Sequence, residues 1–354
     1  MAAISTTALA QSGTNSPYSA YGLGELTEQS SGFNRGMNGL GLGFREHNQV
    51  NYLNPASYSA FDSLSFIFDT GLSLQLTNFS ENGKKVNANN ADFEYVVAGF
   101  RAARHVGVSF GIIPFTNVGY NYANTQYVGG SAAASSTTYP NTYAGDGGLH
   151  QVYLGAGWEP FKGFSVGVNA SYLWGTINRS VINSYSDANV NTLSKYYNSS
   201  TRSYKVNFGM QYTAQVSKKD AVTLGVTYDL GHKLNADPEC RVISRNTQTG
   251  VADTAVYKIE NGLELPSTYS AGIMWDHHSK WKIGLDYSFQ KWSSVKYPVY
   301  NVVNDVPQYA LQTDLFKDRH KMTFGGEYCQ DMNSRSFLKR IRYRAGVSYA
   351  TPYL

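Results

Sequence analysis

Strict alternation of apolar and polar residues limits the fold of this chain more than any other feature of its sequence. In one stretch, Phe164, Val166 and Val168 alternate with Ser165 and Gly167. Successive side chains of a β-strand point to opposite faces, so such a row gives a strand one apolar face and one polar or glycyl face. No segment after residue 60 has the length and 3.6-residue period of a helix. The sequence therefore predicts an all-β protein. Similar apolar rows are Tyr204, Val206, Phe208, Met210 and Tyr212; Val222, Leu224, Val226, Tyr228 and Leu230; Trp281, Ile283, Leu285, Tyr287 and Phe289; and Ile341, Tyr343, Ala345, Val347 and Tyr349.

The connections between the predicted strands alternate in length. Five long connections, near 78–91, 124–148, 183–201, 236–265 and 294–318, are each followed by a shorter one. Bacterial outer-membrane barrels have short periplasmic turns and long extracellular loops, whereas a soluble β-sandwich has no reason to keep this order. The sequence therefore predicts a transmembrane antiparallel β-barrel over residues 61–354, located in the cell outer membrane. Its eleven predicted strands are 63–77, 92–103, 106–123, 149–159, 164–182, 202–216, 221–235, 266–276, 281–293, 319–330 and 340–350.

The composition agrees with a membrane barrel, although a soluble β-sandwich or an adhesin shares it. Tyrosine (28 residues) and glycine (34) are abundant, and charged residues make up 15 % of the chain with a net charge of +4. No apolar run approaches the length of a transmembrane helix, and no basic block indicates a nucleic-acid partner. The five tryptophans lie at or near predicted strand ends, where barrels carry aromatic girdles; they are Trp158, Trp174, Trp275, Trp281 and Trp292.

The two ends of the chain lead to two further expectations. Ala8-Leu9-Ala10 before Gln11 resembles a signal-peptidase cleavage site, so residues 1–10 are interpreted as a signal-peptide remnant. Bacterial barrels generally have an even number of strands with both termini in the periplasm. Eleven strands would leave Leu354 on the extracellular side, so either one strand is missed or the sequence ends early. We expect the second, with the C-terminal strands missing.

Residues 11–60 differ in character from the rest of the chain. They are rich in glycine and small residues, show no strand period, and lack the features of a phosphate-binding loop. Glycines allow tight turns and close backbone contact. This composition predicts a compact plug inside the barrel.

Three stretches of this segment stand out: the Gly-rich stretch 16–25, the run Arg35-Gly36-Met37-Asn38-Gly39-Leu40-Gly41, and Asn54-Pro55-Ala56 just before the first strand. Together they resemble the N-terminal hatch of the FadL/TodX-type outer-membrane transport proteins, especially the Bacteroidota branch. The resemblance implies a fourteen-stranded barrel closed by this hatch, with about eleven of its strands present here. It also implies hatch roles for Arg35, Gly36, Gly39, Asn54, Pro55 and Ala56.

Pro114 interrupts the third predicted strand. Proline cannot donate a ladder hydrogen bond, so it is expected at a bulge, a kink or a gap in the wall. In FadL-type proteins the third strand carries an inward kink that lets hydrophobic ligands leave sideways into the membrane. The resemblance therefore suggests a lateral opening at Pro114, lined by Ile113 and Phe115. The alternative is an ordinary bulge near the outer rim.

Catalytic, metal and cofactor chemistry find no support in the sequence. His277-His278 lies in a predicted turn beside Asp276, which is better explained as a solvated turn than as a metal site, and no nucleophile or zinc motif occurs. Cys240 and Cys329 are placed about a membrane thickness apart, beyond the reach of a disulfide. We expect a protein that is not an enzyme, with no metal and no cofactor.

Two functional interpretations remain open, with a general porin disfavoured because a plug blocks free diffusion. The first is passive uptake of a hydrophobic small-molecule ligand, with lateral release through the third strand. The second is an accessory subunit of an outer-membrane secretion or assembly machine, which would contact an outer-membrane protein partner through its long loops. In both cases outer-membrane lipid surrounds the wall. Charges of both signs on the predicted inner face would hold the plug or select a polar solute: Lys205, Asp229, Lys282, Asp286, Arg342 and Arg344.

Overall fold

The computed structural model describes residues 14–81, 84–127, 138–185, 190–304, 306–332 and 334–354. Within these ranges the short helices are three 3-10 helices (Pro17–Ala20, Pro55–Ala60 and Trp292–Ser294) and two single-turn α-helices (Gly32–Arg35 and Phe337–Arg340). The strands are β1 (Glu25–Leu26), β2 (Phe66–Glu81), β3 (Lys84–Ala103), β4 (Val106–Tyr127), β5 (Thr138–Phe161), β6 (Phe164–Asn183), β7 (Thr192–Gln215), β8 (Asp220–Asp229), β9 (His232–Leu234), β10 (Glu239–Arg245), β11 (Ala252–Lys258), β12 (Leu263–Leu265), β13 (Thr268–His277), β14 (Trp281–Gln290), β15 (Tyr297–Val303), β16 (Val306–Gln312), β17 (Arg319–Cys329) and β18 (Arg342–Ala350).

Eleven of these strands form one antiparallel wall in which each pairs with the next. The order is β2-β3-β4-β5-β6-β7-β8-β13-β14-β17-β18, and these are the eleven strands that the alternation predicts. The predicted all-β antiparallel fold is confirmed. Within the described ranges, no ladder joins β2 to β18. None of the helices in those ranges is long and apolar enough to cross a membrane.

The wall is apolar outside and polar or small inside. On β5, Val152 and Leu154 are 40 % and 61 % exposed, whereas the intervening Gln151 and Tyr153 are buried. Water-soluble proteins rarely expose extended rows of large apolar side chains. An apolar exterior around a filled, partly polar interior is the arrangement of a membrane barrel.

Several strands extend further than the alternation predicts. The β4–β5 ladder continues to Tyr127 and Thr138, and the β6–β7 ladder continues to Asn183 and Leu193. Polar, glycine and tyrosine residues are common on both faces of these outer stretches, so their sequence does not alternate strictly. The long connections 236–265 and 294–318 contain the hairpins β10–β11 and β15–β16.

Two further predicted boundaries and one predicted role are wrong. The predicted strand 221–235 ends at Asp229, and residues 232–234 form the separate strand β9. The predicted strand 281–293 ends at Gln290. Trp292 is 1 % exposed and stacks on Tyr353 at 4.3 Å, so it packs inside the outer loops instead of joining an interfacial girdle.

The wall curls around the N-terminal segment, residues 14–60. Phe33, Met37, Leu40 and Phe44 form a small core of this segment that reaches Met274 on the wall. Tyr58 and Phe61 pack with wall residues in a second cluster. This segment is called the plug below. Cys240 and Cys329 are both buried and unpaired.

Candidate functional site: the plug, the wall and a gap between two strands

A row of glycines on the inner face of the wall fits closely against the plug, mostly against its main chain. Gly107, Gly157, Gly167 and Gly209 lie directly opposite one another across β4, β5, β6 and β7. A Cβ atom on Gly107 would lie 1.8 Å from the Tyr58 carbonyl oxygen. At Gly157 and Gly167 it would lie 2.4 Å from backbone atoms of Pro55. Any side chain at these positions would collide with the plug.

The row continues on the other side of the lumen. Gly225 on β8 pairs with Gly272 on β13, and a Cβ on Gly225 would lie 1.9 Å from the Leu42 carbonyl oxygen. A Cβ on Gly346 of β18 would lie 2.2 Å from the Met37 carbonyl oxygen. The plug therefore touches the wall on most sides at this level.

Polar wall side chains bind the plug through its backbone. The Asp286 carboxylate accepts hydrogen bonds from the backbone N–H groups of Gly41 (2.7 Å) and Leu42 (2.9 Å). The Gln211 amide donates to the carbonyl oxygens of Leu42 (2.9 Å) and Phe44 (3.0 Å). Buried backbone groups need such partners, because an unpaired one costs free energy.

A buried ion cluster joins the plug to β14, β17 and β18. Glu46 of the plug pairs with Lys282 and lies 3.3 Å from the Arg342 guanidinium. Glu327 binds the same Arg342 at 3.1 Å and Arg344 at 2.6 Å. Burial alone would raise the pKa of Glu46, but Lys282 and Arg342 outweigh it and hold that pKa below its usual value. Lys282, Glu327, Arg342 and Arg344 thus pair with the plug or with one another.

The predicted hatch residues all lie in the plug, with separate tasks. Asn54 donates to the carbonyl oxygens of Leu42 (3.0 Å) and Met210 (3.2 Å), and its own side-chain oxygen accepts from Ala56 N–H. Pro55 begins the 3-10 helix Pro55–Ala60, whose start lies against the wall glycines.

The second group of hatch residues surrounds the first helix of the plug. Gly36 follows the helix Gly32–Arg35 and packs against the Arg344 side chain. Gly39 has a positive φ of 85°, and a Cβ there would lie 2.2 Å from Glu28. Arg35 donates to the carbonyl oxygens of Ser30 and Glu28, each at 3.0 Å.

The ladder between β3 and β4 stops about a third of the way along β4. The two strands pair from Ala103 and Val106 as far as Val96 and Ile112. Beyond Ile112, β4 has no ladder partner on β3 in the part of the chain that the structure describes. On its other side, β4 stays paired with β5 apart from a bulge at Phe115, between Pro114 and Thr116. The predicted opening therefore coincides with both a bulge and an interrupted ladder.

The plug occupies the place that β3 leaves. β1 pairs with β4 there, with Glu25 opposite Asn117 and Leu26 opposite Thr116. The Thr27 hydroxyl and the Gln29 amide both donate to the Pro114 carbonyl oxygen, at 2.6 and 2.7 Å. Residues 25–29, the seam segment, thus satisfy backbone groups of β4 that would otherwise face the gap.

Arg35 ties the seam segment to β3. Its guanidinium lies 2.8 Å from the Glu94 carboxylate on β3 and over the Tyr95 ring, while it also binds the Glu28 and Ser30 carbonyls. The seam segment is therefore bonded to β4 directly and to β3 through Arg35.

The three residues predicted to line an opening face different surroundings. Ile113 is fully buried in the cluster around Tyr58 and Tyr153. Phe115 lines a lumen cavity of about 170 Å³, together with Leu26 and Thr27 of the seam segment. Pro114 is buried, with its carbonyl held by the plug. The bulge rotates β4 at this point, which sends Ile113 and Phe115 into separate clusters.

The lumen cavity lies between the plug and the packed outer loops. Its wall is mixed, with Trp292, Leu265 and Phe115 beside charged residues. The charges include two close pairs, Lys205–Asp229 at 2.6 Å and Lys321–Glu28 at 2.8 Å. Above it, Leu234, Leu263, Phe316 and Tyr353 belong to an apolar cluster that caps the extracellular end.

The seam segment was missed by the sequence interpretation. A two-residue strand has too few positions to show alternation, and Thr27, Gln29 and Glu94 act through backbone or ion-pair contacts that leave no pattern. The bulge at Pro114 was the one available signal.

The histidine pair of the predicted turn has a local partner. His277 Nδ1 lies 2.7 Å from the Asp220 carboxylate, to which Trp275 Nε1 also donates at 3.2 Å. Among the residues with described positions, no cluster of three or more His, Cys, Asp or Glu could hold a metal ion.

Comparison with known proteins gives a family and a fold. The family model described as BamG matches residues 1–354, and no curated protein matches the sequence. Among solved structures, the CymD monoaromatic hydrocarbon channel is 15 % identical with a TM-score of 0.59, over 94 % of this chain and 86 % of that one. The Ralstonia pickettii toluene transporter TbuX is 15 % identical with a TM-score of 0.58, over 93 % and 87 %. A Pseudomonas aeruginosa FadL homologue is 10 % identical with a TM-score of 0.56, over 94 % and 82 %. The chain therefore belongs to the BamG family, and it has the fold of the FadL/TodX-type channels.

Proposed function

We propose that this chain is an outer-membrane channel that takes up small hydrophobic molecules passively and releases them sideways through the gap between β3 and β4. The observation that carries the proposal is the interrupted ladder beyond Ile112, which lies next to the lumen cavity at Phe115. A gap in a barrel wall exposes backbone groups, so it is costly unless something fills it. Here the filler is a short plug segment that can move, in contrast to a wall strand.

The cavity suits a small neutral molecule. Its volume of about 170 Å³ is close to that of a cavity of about 150 Å³ known to hold benzene. Four of the charged side chains around it form two ion pairs, and Arg319 interacts electrostatically with Glu28. Phe115, Leu26 and Trp292 supply apolar surface for contact. The similar solved structures include a monoaromatic hydrocarbon channel and a toluene transporter, so toluene is the natural probe.

In this proposal the seam segment is the gate. A molecule in the cavity reaches the membrane when residues 25–29 leave the Pro114 and Phe115 carbonyls and β1 separates from β4. Arg35, bound to Glu94 and to the Glu28 and Ser30 carbonyls, limits this motion.

A disulfide across the gap tests this route. Leu26 and Thr116 are opposite each other, at a Cα separation of about 4.5–5.5 Å for such pairs, within the range for a disulfide. The variant Leu26→Cys/Thr116→Cys, with Cys240→Ala and Cys329→Ala, is expressed in cells that lack their own channel of this type. Uptake of radiolabelled toluene is expected to fall about fivefold or more on oxidation and to recover on reduction, because the cross-link removes the open population.

A matched control separates the gate from general effects of oxidation. Val242 and Ala255 are opposite each other in the β10–β11 hairpin, away from the gap, and a disulfide between them should leave uptake unchanged. Equal uptake by the locked and reduced forms of the Leu26–Thr116 variant would refute lateral release.

A second function is favoured by the extent of contact between plug and wall. The glycine row and the buried ion cluster close the lumen on most sides, which suits a sealed barrel that serves as an accessory subunit of an outer-membrane secretion or assembly machine. For this function we expect no toluene uptake above the level of cells without the protein. We also expect stable co-purification with an outer-membrane partner, which is lost when the exposed hairpin β10–β11 is deleted.

A further inference from the structure

A second cavity lies among the outer loops and shares no lining residue with the lumen cavity. Its volume is about 310 Å³, and it is bounded by plug residues 20–22, by β6 and β7, and by the β15–β16 hairpin. Tyrosines dominate its wall: Tyr21, Tyr197, Tyr297, Tyr300 and Tyr309. Concave sites lined by aromatic rings with a few polar groups are typical of small-molecule sites.

Arg179 is the charged residue of this cavity. One of its terminal nitrogens donates to the Tyr297 hydroxyl, and the other donates to the Gly22 carbonyl oxygen at 2.8 Å. Its Nε is buried and has no hydrogen-bond partner. Among the described residues, no carboxylate forms an ion pair with Arg179. A partly buried guanidinium without a counter-charge is costly, so this cavity favours an anion.

Ser199 adds a second donor without a partner. It is 8 % exposed, and its hydroxyl oxygen has no hydrogen-bond partner in the structure. In the β6–β7 ladder, Arg179 is opposite Tyr197, and Ser199 is two residues further along β7. Residues two apart on a strand share a face, so Arg179, Tyr197 and Ser199 line the same side of the cavity.

We propose that this outer cavity binds a small aromatic carboxylate. The ring would lie among the tyrosines, and the carboxylate oxygens would accept hydrogen bonds from Arg179 Nε and the Ser199 hydroxyl after a small side-chain adjustment. Guanidinium and carboxylate match in geometry as well as in charge. The cavity is about twice as large as one known to hold benzene, which leaves room for a substituted ring.

This site goes beyond the proposed uptake function. The ligand is an anion held by the outer loops, whereas the lumen cavity suits neutral molecules. Binding to purified protein also does not depend on transport, so the two proposals can fail separately.

Titration calorimetry of the full chain in detergent micelles tests the site, with benzoate and its neutral analogue benzyl alcohol as probes. Benzoate is expected to bind about tenfold or more tightly than benzyl alcohol, because only the carboxylate can pair with the guanidinium. Arg179→Gln should abolish this preference, and Tyr309→Leu should weaken the binding of both ligands. Arg241→Gln is the control, since Arg241 is an exposed arginine that pairs with Glu239 and does not line this cavity.

Arg179 also binds plug carbonyls, so Arg179→Gln could loosen the plug. Ser199→Ala keeps Arg179 in place. It should weaken the binding of benzoate severalfold and leave the binding of benzyl alcohol unchanged. Equal binding of the two probes, absence of benzoate binding at millimolar concentration, or an unchanged preference in both variants would overturn the proposal.

Discussion

At the scale of residues, charge and size on the inner face of the wall are matched to the plug. Glu46 of the plug is 5 % exposed and lies between two cations, Lys282 and Arg342, that belong to different strands. A buried charge that loses its partner is strongly destabilising. Glu46 should therefore contribute to the stability of the whole assembly of plug and wall.

Replacing this carboxylate tests the ion cluster. Glu46→Gln should lower the free energy of unfolding by about 2 kcal/mol at pH 7, less than the ~3–5 kcal/mol for a fully stranded charge, because Arg342 keeps Glu327 as a partner. The pKa of Glu46 is lowered in the folded protein, so its contribution is present above the unfolded pKa and is lost as pH falls through the folded one. Denaturant unfolding in detergent at pH 7 and in acid measures both effects.

The control for this experiment is Glu239→Gln. Glu239 pairs with Arg241 in an outer loop, where an exposed ion pair contributes little. If Glu46→Gln and the unaltered chain had the same free energy of unfolding at pH 7, or differed as much in acid as at pH 7, the ion cluster would not be what holds the plug.

At the scale of elements, the seam segment behaves as a short replacement strand. β3 and β4 part at Ile112, and residues 25–29 take over the hydrogen bonds along β4. Two side chains, Thr27 and Gln29, hold it to the single carbonyl of Pro114. Few buried contacts and a short ladder are the marks of a segment that opens locally.

Removing those two side-chain bonds should free the segment without unfolding the wall. In Thr27→Val/Gln29→Leu, we expect hydrogen–deuterium exchange of residues 25–29 to accelerate about tenfold, as for the loss of 1–2 kcal/mol of local stability. Thr213→Val is the control, because it removes a 2.9 Å bond between two wall threonines far from the gap. Unchanged exchange at 25–29 would mean that the other contacts of the segment, the β1 pairing and the bonds of Glu28 to Arg35 and Lys321, are enough to secure it.

The strands were predictable because membrane and lumen impose opposite demands on alternate residues. The rows that contain Val168, Leu224 and Leu285 gave their positions within a few residues. The outer hairpins were not predictable, since β10, β11, β15 and β16 pair with their surroundings in water and need no apolar face. The hatch residues were found through resemblance to a family, and their position inside the wall follows from the structure.

The gap was only half predictable. Pro114 has no N–H group and therefore predicted an interruption of the hydrogen-bond ladder. From the sequence, a bulge and an opening remained as alternatives. Which strand loses its partner depends on how β3 and β4 diverge. What fills the space depends on contacts between residues about 90 positions apart, such as Thr27 and Pro114, and such contacts leave no local period.

At the scale of the whole molecule, the apolar exterior of the wall determines which solvent environment the folded protein requires. Leu224 on β8 and Phe324 on β17 are 51 % and 55 % exposed, and similar apolar side chains surround the wall. Such a surface would aggregate in water. The same surface is stable against hydrocarbon.

A charge on this surface should therefore act against membrane insertion. Leu224→Arg is expected to cost about 2–4 kcal/mol when folding is measured in lipid vesicles, as for arginine near the middle of a barrel wall. Leu224→Phe keeps the surface apolar and should fold like the unaltered chain. A protein that stays monomeric in buffer without detergent would contradict the membrane assignment.

The glycine row has a consequence for how such a protein can change over generations. The wall meets the plug through main-chain atoms of Tyr58, Pro55 and Leu42, and a main chain has the same shape whichever side chains it carries. Substitutions in the plug that preserve its backbone path leave this contact surface intact. A single methyl group added to one of the wall glycines would collide with the plug. The wall glycines should therefore tolerate substitution less well than the plug residues whose main chain they contact.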